Sequence, residues 1–160
     1  HNLAKVLKNG ADLEARQNML VGSMLAGQAF ANAPVGAVHA LAYPLGGHFH
    51  LSHGHSNTLV LVEVLKFNAP KAKQHYADLM QLLDPRSTGC TDGLCDLFID
   101  HMQNHLDQSG LTLKLKDLDI TEAKLPQLAK DAMLQTRLLQ NNPREMTEQD
   151  ALQIYQAIYA

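Results

Sequence analysis

Residues 36–57 read GAVHALAYPLGGHFHLSHGHSN and hold five of the chain's nine histidines: His39, His48, His50, His53 and His55. His39 lies in an apolar helical pattern formed by Ala37, Val38, Ala40, Leu41 and Ala42. The pattern predicts a helix over 35–42 that stops at Pro44, because a residue before proline is disfavoured in the α region. Leu45-Gly46-Gly47 prolongs the break. His53 follows the loop, at the mouth of the next helix. A helix, a tight loop and a second helix can fold back and aim both imidazoles at one point. Neutral imidazole suits iron, zinc, copper and nickel, and imidazoles on facing helices build metal sites in bundles.

Two ligands do not complete a site, since a catalytic metal takes about three protein ligands and an open position. A histidine in an apolar helix is also an ordinary core residue bonded to a neighbour. His48, His50 and His55 read as loop or helix-mouth residues, either solvated or lining an entrance. Imidazole titrates near neutrality, so such residues could also supply protons locally.

Outward from this stretch the chain reads as helix. Residues 12–32, DLEARQNMLVGSMLAGQAFAN, are apolar nearly all round, which marks a helix of about 30 Å at the centre of a fold. Asp12 is its candidate N-cap. The N-terminal HNLAKVLKNG resembles the tail of a helix. Helices are expected over 54–67, over 70–83 with Pro70 in the first turn, and over 92–108, ended by Ser109-Gly110. LTLKLK at 111–116 alternates like a strand, but a single short strand has no partner, so an extended connector is expected. A helix from about Thr121 to 136 carries Pro126 in its first turn. Thr147-Glu148-Gln149-Asp150 resembles a capping box opening a last helix that ends near Ala157. The expected fold is one all-α domain over 1–160, a bundle of about seven or eight helices.

Composition narrows the function. The chain has 160 residues, 46% hydrophobic and 18% charged, with a net charge of −3 and no basic block. Disorder and nucleic-acid binding are not expected, nor is a membrane span, because no run of 18 apolar residues occurs. Cys90 and Cys95 are too few for a disulfide framework, which suits a cytoplasmic setting, and their spacing alone does not establish a bridge. No Gly-rich phosphate cradle and no nucleophile elbow occurs. His101 and His105, spaced i, i+4 in HMQNH, share a helix face and form a rival metal pair. The apolar stripe of Leu97, Phe98, Met102 and Leu106 makes a solvated or half-buried face the plainer account. Cys90 and Cys95, just upstream, lack a second pair at zinc-finger spacing.

The run Gly36-Ala-Val-His39-Ala-Leu-Ala-Tyr43-Pro44-Leu45-Gly46-Gly47, followed by His53-Gly54, resembles the iron-containing (group III) alcohol dehydrogenase family. The family pattern is G-x-x-H-x-x-A-H-P-x-G and then P-H-G, with the separation of His39 and His53. Asp12–Arg16, Asn18-Met19, Ala29–Ala33, Ser56-Asn57, Asn142-Pro143-Arg144 and Ile154-Tyr155 resemble its flanks, so the likeness covers essentially the whole chain. It implies a two-domain enzyme that interconverts alcohols and aldehydes or ketones by hydride transfer to and from NAD(P). A divalent metal, Fe2+ or Zn2+, acts as Lewis acid and is held by an Asp and three His. The resemblance casts this chain as the helical C-terminal domain, with the NAD(P)-binding α/β domain and the Asp and first His upstream of residue 1. His39 and His53 carry over as metal ligands and Phe30 as an aromatic of the substrate pocket. The intact enzyme is then expected to be a homo-oligomer acting on small-molecule alcohols or aldehydes, and the 160 residues alone to be inactive.

Two positions depart from the family. Tyr43 replaces a histidine implicated in proton relay, and a phenol relays protons less readily than imidazole at neutral pH. Ser52 replaces the proline before His53, which is expected to loosen the helix entry. The competing reading is a non-catalytic helical domain with structural histidines.

Overall fold

A computed structural model describes residues 2–160. Of the N-terminal stretch, residue 1 lies outside the described residues and Asn2–Lys8 forms helix α1. The other α-helices are α2 (Leu13–Asn32), α3 (Ala37–Phe49), α4 (His53–Leu83), α5 (Thr91–Asp107), α6 (Leu125–Met133), α7 (Thr136–Leu139) and α8 (Glu148–Ala157). Short 3-10 turns cover Leu115–Leu118 and Glu122–Lys124, and no strand occurs among the described residues. The fold is the all-α bundle expected, with eight α-helices among the described residues.

Several boundaries follow from local chemistry. The Asp12 carboxylate accepts from the Ala15 N–H at 2.9 Å, satisfying an orphan donor of α2. Thr147 and Asp150 form a reciprocal capping box at α8. Pro126 falls in the first turn of α6. Helix α5 ends at Asp107, and Gly110 then takes φ +73, in the left-handed region that favours glycine.

Proline misleads at the other two positions. Helix α3 does not stop before Pro44 but runs through it to Phe49, and 54–83 is one helix through Pro70 rather than two. Proline removes one N–H and crowds the carbonyl four residues back, a local cost of about 3 kcal/mol. Packing outweighs it in α3, where Leu41 and Leu45, on either side of Pro44, are fully buried. Each such side chain contributes about 1.5–3 kcal/mol. Helix α4 contributes to two cores, and its continuity joins them. Leu59, Val60 and Val64 pack with α3, α6 and α8, while Ala72, Tyr76, Ala77 and Met80 pack with α5.

Other expectations are corrected in extent. The connector is extended only to Lys114; Leu115 turns inward, fully buried, and its N–H donates to the Ile158 carbonyl at 2.9 Å. The helix expected over 121–136 divides into the 3-10 turn at Glu122–Lys124, α6 and the short α7. Cys90 and Cys95 are both free, and the Cys90 Sγ caps α5 by accepting from the Gly93 N–H.

Helix α2 is not central. Ala15 is its one buried residue, while Leu20 is 72% exposed and Val21, Met24, Leu25 and Phe30 are exposed as well. Its main packing partner is α1. An apolar helix signals that it needs cover, not which segment supplies it. No described helix is long and apolar enough to cross a membrane.

Candidate metal centre

The corner between α3 and α4 brings two imidazoles together. His39 is the third residue of α3 and His53 the first of α4, and their ring centroids lie 5.1 Å apart at 52°. Tyr43, one turn after His39, sets its ring 6.5 Å from His39 and 6.3 Å from His53. The reversal between the helices is tight. His50 closes α3 with φ 56, in the left-handed region, and its N–H donates to the Gly46 carbonyl at 3.0 Å. Ser52 then enters α4 with φ −61 and ψ 149, and its hydroxyl makes no capping bond. That φ is the one proline fixes.

Three sets of contacts hold the corner. Asn142 accepts from the Ala37 N–H at 3.4 Å and exchanges two amide bonds with buried Asn68, at 3.0 and 2.7 Å. Its Nδ2 also donates to the Arg144 carbonyl at 2.6 Å. Arg144 in turn lies 4.0 Å over the Phe67 ring and donates to the Phe67 carbonyl at 2.9 Å. The start of α3, two residues before His39, is thereby fastened to the middle of α4. The second set is Tyr155, fully buried on α8, which donates its hydroxyl to the Leu41 carbonyl at 2.6 Å. Burial pushes its phenol far above the ordinary range, so it stays a donor. Thirdly, His55 donates Nε2–H to the Thr112 carbonyl at 2.6 Å, pinning the connector to the first turn of α4.

Asn57 is the third polar side chain at this point, and the sequence shows nothing of that beyond a resemblance at Ser56-Asn57. It lies one turn beyond His53 on α4, so the i, i+4 spacing is the signal that could have found it. Its Nδ2 stands 3.0 Å from His53 Nε2 and 3.5 Å from His39 Nε2. With the amide donating, both ring nitrogens present lone pairs toward one point. Asn57 Oδ1 is buried with no hydrogen-bond partner, an arrangement that costs about 1–3 kcal/mol. Burial first, and the neighbouring His53 second, lower the His39 pKa from its ordinary value, which favours the neutral, ligating form.

This donor set fits a divalent metal as one half of a site. Two converging imidazole nitrogens suit iron or zinc, and the orphaned amide oxygen marks a point with unmet polar demand. Among the described residues no cluster of three or more His, Cys, Asp and Glu side chains completes the shell.

The remaining candidates lie apart. Phe30 stands 60% exposed on α2 and takes part in no ring pair with His39, Tyr43 or His53. His48 belongs to the last turn of α3, not to a loop, and its Nε2 meets Asp131 Oδ2 of α6 at 2.6 Å. His101 and His105 pair with each other on α5. Nothing links Cys90 or Cys95 to them as a metal cluster among the described residues.

Comparison with known proteins places this corner in a family. The profile of the Fe-containing alcohol dehydrogenase family, C-terminal, matches residues 1–159. The chain is 38% identical to long-chain-alcohol dehydrogenase 1 of Geobacillus thermodenitrificans, over 99% of this chain and 40% of that protein. It is 33% identical to 1,3-propanediol dehydrogenase of Klebsiella pneumoniae, over 99% of this chain and 41% of that one. The crystal structure of a 1,3-propanediol oxidoreductase superposes with a TM-score of 0.93 at 32% identity, covering 99% of this chain and 41% of that chain. An alcohol dehydrogenase from Oenococcus oeni gives 0.89 at 30% identity, over 98% and 41%. The chain thus spans about two fifths of the length of the relatives it matches. With a matching profile over nearly every residue, the chain belongs to the Fe-containing alcohol dehydrogenase family and corresponds to its C-terminal part.

Proposed function

We propose that these 160 residues are the metal- and substrate-binding helical domain of an NAD(P)-dependent alcohol dehydrogenase that interconverts small alcohols and aldehydes or ketones. The observation that carries the reading is the convergence of His39 Nε2 and His53 Nε2 on one point, marked by the Asn57 amide. In this reading the two imidazoles supply half of the ligands for Fe2+ or Zn2+. The remaining ligands and the NAD(P)-binding domain come from the rest of a longer protein. The partial coverage of the relatives and the uncovered apolar side of α2 support that division.

When bound, the metal supplies Lewis acidity at the reacting oxygen, and NAD(P) supplies or accepts hydride. The residues of this chain position and hold protons. His39, neutral because it is half-buried beside His53, offers a lone pair without first losing a proton. The clasp of Asn142 and Asn68 and the bond from Tyr155 to Leu41 fix the helix that carries it. Tyr43, 44% exposed and beside both rings, is in this reading the group that hands a proton between the site and solvent through its hydroxyl. Phe30 would join the carbon side of the pocket when the uncovered face of α2 is packed.

The test is turnover by the longer protein that contains this chain. NAD- or NADP-dependent oxidation of primary alcohols is expected, and His39→Ala should abolish it. Unchanged turnover in that variant would contradict the reading. Metal-free, inactive protein would favour the non-catalytic helical domain.

A further inference from the structure

The second histidine pair supports an inference independent of the site at the α3–α4 corner. We infer that His101 and His105 form a separate two-histidine chelate on α5 for a late divalent transition-metal ion of the Cu2+ or Ni2+ type. The two side chains stand one turn apart, and their Nε2 atoms lie 3.0 Å from each other. Their ring centroids are 4.5 Å apart and their planes 86° from parallel. The observed spacing is that of the hydrogen bond between the rings; turning both lone pairs to one side brings a single ion within reach of both, and nitrogen donor pairs favour Ni2+ and Cu2+ among the divalent metals.

The helix segment that carries the pair is held in place before any ion arrives. Both residues are half-buried, and Phe98, Met102 and Leu106 seat this part of α5 against α4. Neither histidine has another hydrogen-bond partner among the described residues; the Nε2–Nε2 contact is the one that each makes. In that contact one ring donates its Nε2–H to the other. Moving that proton to Nδ1 of the same ring presents two lone pairs and leaves both imidazoles neutral, so charge and protons balance. Once one nitrogen binds, the second is already within reach, and the helix supplies the high effective concentration of a chelate. No cluster of three potential protein ligands occurs among the described residues, so water or an external ligand fills the other positions. That composition suits a weak, exchangeable site rather than a structural one.

The experiment titrates Cu2+ into the longer protein that contains this chain, in a His39→Asn/His53→Asn background, which removes the other pair. One bound Cu2+ per chain is expected, with electron paramagnetic resonance showing coupling to two nitrogens. His101→Gln and His105→Gln, made separately, should each weaken Cu2+ binding at least tenfold and leave coupling to one nitrogen. His75→Gln, on the exposed side of α4, should change neither. Cu2+ affinity altered less than twofold in both Gln variants would overturn the assignment. So would coupling to fewer than two nitrogens in the background protein, a readout that stands even where a Gln variant does not fold.

Discussion

At the scale of single residues the site turns on Tyr43 and Asn57. Tyr43 occupies the position one turn past His39, and its ring centroid lies 6.5 Å from that of His39 and 6.3 Å from that of His53. A phenol there can still donate and accept. In the longer protein, Tyr43→Phe should lower kcat by about 10²-fold, the lower end for a lost proton-transfer group, with metal content unchanged. A kcat within twofold of the parent in steady-state assays would remove Tyr43 from the mechanism. Asn57 shows why part of the site stayed hidden in the sequence. His39 and His53 are legible because imidazole announces metal chemistry and their separation fits a family pattern. An asparagine next to a serine announces nothing until the helix aims it at both rings. The same holds for Asn68 and Asn142, which are 74 residues apart and bond as a reciprocal amide pair.

Helices and their ends carry the next level. Ser52 enters α4 with the φ of a proline, accepts no capping bond and is exposed. Ser52→Pro should therefore stabilise the chain by about 0.4–1 kcal/mol, through the unfolded state, read as a raised midpoint in urea. A lowered midpoint would mean that the corner depends on the serine. At α8 the side-chain hydrogen bond from Thr147 comes first in lowering the Asp150 pKa below the usual 3.8, and the Thr147 N–H adds to it. A carboxylate whose folded pKa is depressed contributes stability above its unfolded value and loses it as pH falls through the folded one. The parent should thus be more stable than Asp150→Asn at pH 7. The gap in thermal midpoint should close as pH drops below about 3.8, and a gap independent of pH would contradict the capping box as its source. Caps were legible because a few adjacent residues determine them. The fates of Pro44 and Pro70 were not, because buried Leu41 and Leu45 in one case and two joined cores in the other outweigh a local rule.

For the whole molecule, helical periodicity was enough to read an all-α bundle, because nearly every core side chain repeats at helical spacing. Periodicity misplaced α2, since an apolar helix looks the same whether its cover comes from this chain or another segment. Leu20, Met24 and Leu25 stand exposed where a central helix was expected. Two aspects of the molecule point the same way: an apolar helix without cover, and two converging imidazoles without a third ligand among the described residues. Both are what one part of a larger site would present. Metal analysis of the longer protein, purified with and without the His39→Ala/His53→Ala pair, tests that claim most directly. The account predicts one Fe2+ or Zn2+ per chain in the parent and none in the double variant. Full occupancy in the double variant would contradict it.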